Sequence, residues 1–258
     1  MQEQADSSRR SSSRVERLRR IYRNGCLCAV SFLALAPNPA SAAANTNGKL
    51  MLHIVRGDFI TCTHPGARPL CAGVSTAAAL YPTTYLIGLL AMDADPLAGV
   101  AAVEFGLQYA PATGAGVDVF SWQLCGDTEA TVDGPNGPWP TAGSGNVILW
   151  NQTTHCQRFV PAGGTTAVAV AGYIYCAAYT PDLLEVTPSP YSGLALIADC
   201  GAVIDTVEGG FVHRNPSHLG AVRFSSGGTE PGYNPCGLVT PVAVTTWGVI
   251  KSQFAPPR

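Results

Sequence analysis

The chain has 258 residues, with 28 glycines, 20 prolines and nine cysteines, and 15 Lys+Arg set against 17 Asp+Glu for a net charge of −2. Low charge at 47% hydrophobic residues excludes a disordered chain. The lack of a basic excess excludes nucleic acid and anionic lipid as partners, because phosphate binding rests on clustered Lys and Arg.

Residues 1–42 read as an export leader. Seven arginines fall between Arg9 and Arg23, an apolar stretch runs from Leu27 to Ala36, and a small-residue tail follows from Pro37 to Ala43. About ten apolar residues suit a signal-peptide core, whereas a bilayer span needs about twenty. Two A-x-A frames compete, Ala40-Ser41-Ala42 and Ala42-Ala43-Ala44, so the mature chain starts at Ala43 or at Asn45, with Ala43 the expectation. Removing residues 1–42 takes away seven arginines and three acids, leaving 8 basic and 14 acidic residues and a net charge of −6. The product is expected to be secreted, with no membrane span once the leader is gone: extracellular, periplasmic or on the cell surface.

Downstream, strands are expected in turn. Leu50 to Val55 comes first, then a small loop holding Cys62 and Cys71, then TYLIGLLAMD, GVAAVEFGLQY and VDVFSWQLC from Thr84 to Cys125. Apolar residues at Val103, Phe105, Leu107 and Tyr109 alternate as a half-buried strand requires. Gly126 to Gly145 carries three prolines and five glycines and reads as a long irregular loop. NVILWN, TTAVAVAGYIYCAAYT, SGLALIADC and GAVRFSS complete eight or nine strands at regular turn intervals, the pattern of a two-sheet β-sandwich over residues 43–236. In the tail, 237–258, Trp247, Ile250 and Phe254 fall at i, i+3 and i+7, which predicts a short helix capped by Thr245 or Thr246.

The stretch from Leu86 to Trp122, with DADPLAGVAAVEFGLQYAP and VDVFSW, resembles the front half of a cohesin domain. The likeness extends to AVAGYIYCAAYTPD and to the turn at Asp199-Cys200-Gly201, so that it covers somewhat over half of the mature chain. The chain is also similar to secreted bacterial proteins that carry such a sandwich with paired cysteines. The resemblance implies a cohesin-like, jelly-roll type all-β sandwich, and as a likeness of shape it does not carry a function. This chain differs from the usual cohesin in its cysteines and in the 126–145 loop.

Seven cysteines remain after leader removal, and an oxidising compartment pairs most of them. The expected staples are Cys62 with Cys71, Cys125 with Cys156, and Cys200 with Cys236, each closing a Gly- and Pro-rich segment. Cys176, inside an apolar strand, is expected as a buried free thiol. No C-x-x-C pair supports zinc.

Catalytic patterns are absent from the sequence. There is no G-x-S-x-G, the histidines are scattered, and His213 and His218 flank a loop without an obvious third ligand. A hydrolase with an unrecognised site is therefore the least favoured reading. No cofactor is expected apart from calcium, for which Asp127, Glu129 and Asp133 are the candidate ligands in the 126–145 loop. Trp139 in that loop, with Trp122 and Trp150, is the candidate sugar-stacking platform. The leading expectation is a structural or adhesive extracellular module whose partner is an unknown protein or glycan. The alternative is a carbohydrate-binding or calcium-dependent domain that uses the 126–145 loop.

Overall fold

The structure, a computed structural model, describes residues 45, 47–55, 62–110, 114–201, 204–209 and 218–237. The chain divides into two units: Met1–Ser41, outside the described residues, and Ala42–Arg258, which holds all that follows. The expected leader, the tail helix over 245–254 and His213 likewise lie outside the described residues.

Twelve strands follow in chain order: β1 (Lys49–Val55), β2 (Ala77–Ala79), β3 (Tyr85–Ala94), β4 (Ala102–Gln108), β5 (Val117–Leu124), β6 (Thr128–Val132), β7 (Gly145–Leu149), β8 (Ala167–Ala178), β9 (Asp182–Thr187), β10 (Leu194–Ala198), β11 (Ile204–Gly209) and β12 (Ala221–Ser225). The only helical turns among the described residues are three short 3-10 segments. Two sheets result, as the turn spacing predicted. Sheet A has the order β1-β3-β8-β5; sheet B has the order β11-β10-β4-β9-β12-β2, with β7 also on β4 and β6 on β7.

The count exceeds the predicted eight or nine for physical reasons. β9 and β10 lie end to end along one edge of β4, pairing Gly106–Gln108 with Glu185–Thr187 and Ala102–Glu104 with Leu196–Ala198. The segment between them, PSPYSG, leaves the sheet, since proline cannot donate to a ladder; the Ser189 N–H to Leu194 carbonyl bond (2.8 Å) closes the excursion. β6 was hidden inside the expected 126–145 loop. It exists because the chain leaves β5 in sheet A, turns at Cys125-Gly126-Asp127 and pairs with β7 in sheet B.

Alternation decides the core. Leu50, Leu52 and Ile54 of β1, Ile87, Leu89 and Ala91 of β3, and Val103, Phe105 and Leu107 of β4 all point between the sheets. On β8 the inward set is Ala167, Ala169 and Ala171, then Ile174, Cys176 and Ala178. The change of parity falls at the register shift opposite Leu89 and Leu90, where one extra residue flips the pleat. β5 does the same between Val119 and Ser121, so that Val117, Val119, Trp122 and Leu124 face inward and Phe120 faces out.

A second apolar layer lies on the outer face of sheet A. Met51, Val55, Leu90, Met92, Val168, Val170 and Tyr173 are buried there against Ala67, Val74 and the cysteines Cys62, Cys71, Cys125 and Cys236. The segment 62–75 is thus a cover over one end of that face.

Candidate binding face

The three disulfides correct the expected pairing. Cys62 joins Cys125, Cys71 joins Cys236, and Cys156 joins Cys200, with Cα atoms 5.4, 5.5 and 5.9 Å apart. The expectation assumed that each bridge closes its own loop. Cys62 and Cys71 instead fasten the cover to the end of β5 and to the chain beyond β12, and Cys156 meets Cys200 under the Asp95–Gly99 turn, where Gly99 approaches both sulfurs. Cys176 is buried and makes no disulfide; desolvation pushes its thiol up to about 12.

Polar contacts hold the cover as well. Arg68 donates to the Cys62 carbonyl (2.7 Å) and lies over the Phe159 ring at 4.6 Å. His53, outward on β1 and buried, accepts from the Ser75 N–H at Nδ1 (2.9 Å). Burial lowers the His53 pKa, and the backbone bond to Gly66 opposes that shift only in part.

The other end of the same face is bare. On β8 the outward row is Tyr173, Tyr175 and Ala177, continued by Tyr179 just past the strand. Tyr173 is under the cover; Tyr175 and Tyr179 are 37% and 36% exposed. Phe120, pushed out by the bulge on β5, is 47% exposed and lies 5.3 Å from the Tyr175 ring. Tyr81, 57% exposed, stacks on Tyr179 with centroids 4.9 Å apart; its N–H bonds the Ala178 carbonyl (2.7 Å). Two aromatic pairs therefore lie along β8, separated by the small Ala177.

The 126–145 loop does not form the platform expected of it. Trp139 packs into the core, edge-on to Phe105 (5.5 Å) and Trp122 (5.1 Å), with its ring N–H enclosed. Trp150 is buried and donates to the Cys125 carbonyl (3.1 Å), and Trp122 donates to Glu129 (3.0 Å). The loop plugs the side of the sandwich where the chain crosses from β5 to β6, and a tryptophan is the residue large enough to fill that gap.

The three candidate calcium ligands diverge. Asp127 accepts from the Asn151 N–H (2.7 Å) and meets His155 Nδ1 (2.7 Å), and these two contacts, in that order, lower its carboxyl pKa. Glu129 turns inward opposite Ile148 and accepts from Trp122 and from Asn146 (2.7 Å). Asp133 is exposed past the end of β6. Among the described residues, one group of three His, Cys, Asp or Glu side chains has ligand atoms within 4.8 Å of one another: Cys71, Asp93 and Cys236, whose two sulfurs are bonded to each other. His218 contributes its carbonyl to Leu50 N–H (3.0 Å) at the side where β1 approaches sheet B.

Sequence reasoning passed over Phe120, Tyr175, Tyr179 and Tyr81. The signal was present in YIYCAAY, where tyrosines recur at even spacing opposite the apolar Ile174, Cys176 and Ala178. Phe120 carried no such signal, because only the bulge turns it outward.

No family model matches the chain, and no curated protein matches it. Among solved structures the chain is similar to the cohesin module from a Clostridium perfringens family 33 glycoside hydrolase, at 9% identity and a TM-score of 0.36, over 69% of this chain and 97% of that module.

Proposed function

We propose that the chain, once freed of residues 1–42, is an exported, non-catalytic module with a structural or adhesive role outside the cytosol. The observation that carries this reading is the disulfide set. All three bridges join segments far apart in sequence, by 63, 165 and 44 residues, and such frameworks persist in oxidising compartments. No helix among the described residues is long and apolar enough to cross a membrane. The resemblance of residues 86–122 to cohesin domains agrees with a binding module, for which the outer face of sheet A is the candidate surface.

Fractionation of producing cells, followed by non-reducing peptide mapping, tests the reading. The expected result is oxidised protein at the cell surface or in the medium, carrying the 62–125, 71–236 and 156–200 bridges. Reduced protein retained in the cytosol overturns it, as does hydrolytic turnover that a single Asp or His substitution abolishes.

A further inference from the structure

We infer that the bare end of the outer face of sheet A, built from Phe120, Tyr175, Tyr179 and Tyr81, is a binding site for a neutral polysaccharide chain. The inference rests on the exported-module reading and names what that module holds.

The first argument is area. At the exposures given above the four rings offer roughly 350 Å2 of accessible surface, taking about 200 Å2 for a whole aromatic side chain. A stable protein interface takes about 800 Å2 from each partner. The patch supplies under half of that share, too little to carry a second copy or another folded protein, yet it matches the few hundred Å2 typical of a functional patch on a monomer.

The second argument is chemistry. The face of an aromatic ring is the negative side of its quadrupole, and a pyranose ring presents axial C–H bonds, apolar and slightly positive, to that face while its hydroxyls stay at the edge. Three of the four rings are tyrosines, whose hydroxyls can bond such a rim.

Charge then selects within the class. The mature chain carries −6, and the carboxylate beside the patch is Asp118, outward on β5 opposite Ala177, which accepts from Gly114 N–H (3.3 Å). An acidic module repels acidic glycans, and stacking on uncharged rings suits a neutral chain.

The third argument is spacing. Tyr175 on β8 and Tyr179 just past its end are four residues apart, about 13 Å at the rise of an extended chain. Ala177, the outward residue between them, is itself fully buried, so the two ring pairs alone would carry a linear chain. A mono- or disaccharide reaches one pair only.

The test uses purified, oxidised protein in two assays: retention on insoluble cellulose, xylan, mannan and chitin, and calorimetry with the matching soluble oligosaccharides from disaccharide to hexasaccharide. The expected result is retention on at least one polymer, with affinity rising along its oligosaccharide series until both pairs are covered. Tyr175→Ala and Tyr179→Ala should each weaken binding by about tenfold. Circular dichroism of these surface variants should match the parent, which separates lost binding from lost fold. Three results overturn the inference: no retention on any of the four polymers, retention unchanged by both substitutions, or a dimer in sedimentation that the same substitutions abolish. Binding is read on isolated protein and export on cells, so either reading can fail while the other stands.

Discussion

Cys71 and Cys236 stand 165 residues apart in sequence and 5.5 Å apart at their Cα atoms, with the Cys71 sulfur 3.4 Å from the Asp93 carboxylate on the outer face of sheet A. One bond thus ties the cover to the chain beyond β12. By the chain-entropy model a closure of this span stabilises the fold by on the order of 5 kcal/mol. The double substitution Cys71→Ser with Cys236→Ser should lower the guanidinium unfolding free energy by that order. It should also make the 62–75 segment the first site of proteolytic cutting. A loss below about 1 kcal/mol would show that the cover is held by packing alone.

Trp139 separates the plug reading of the 126–145 loop from the platform reading. Wedged between Phe105 and Trp122, it fills the open side of the sandwich, so Trp139→Ala should cost about 3 kcal/mol of stability through the cavity it leaves. Thermal unfolding checks this. A variant as stable as the parent but deficient in sugar retention would return the binding role to the loop.

How legible this was in the sequence varies with the reach of the interactions. The inward rows of β3, β4 and β8 are readable because alternation is local, and those strands were found where the pattern placed them. β6 escaped because its residues Thr128, Ala130 and Thr131 give weak alternation, and because its pairing with β7 is settled by the crossing at Cys125. β9 and β10 could not be seen as one broken strand, since their common partner β4 lies some 80 residues earlier. The disulfide pairing is illegible for the same reason: the bonded partners lie 63, 165 and 44 residues apart in sequence. The aromatic face depends on a bulge, which shifts Phe120 outward without altering composition.

His53 makes the stability of the cover depend on pH. Its neutral ring accepts from Ser75 N–H, and burial holds its pKa below the ordinary 6.5. Where both states are neutral, above that value, the group contributes no pH dependence. As pH falls through about 6.5 the unfolded chain binds the proton before the folded one does, so stability declines until the lowered folded pKa is reached. Urea unfolding between about pH 8 and pH 5 should show midpoints that fall with acidity, and His53→Gln should flatten that slope. An unchanged slope in the variant would assign the effect to other groups.

Asn45 bears on where the proposed leader would be cut. Its side chain is fully buried, donating to the Gly99 carbonyl (3.0 Å) and accepting from the Asp95 N–H (2.8 Å), while its own carbonyl accepts from Gly48 (2.7 Å). These bonds pin the chain to the Asp95–Gly99 turn beside the Cys156–Cys200 bridge. Cleavage after Ala44 would put a charged α-amino group on this buried residue, and moving a charge out of water is costly. Cleavage after Ala42 would keep that charge two residues off Asn45. N-terminal sequencing of the exported protein should therefore read Ala43, Ala44, Asn45, and Asn45→Ala should cost about 2 kcal/mol for two buried bonds. A first residue of Asn45, with stability intact, would mean that the turn accepts the charge and that the second A-x-A frame is the one processed.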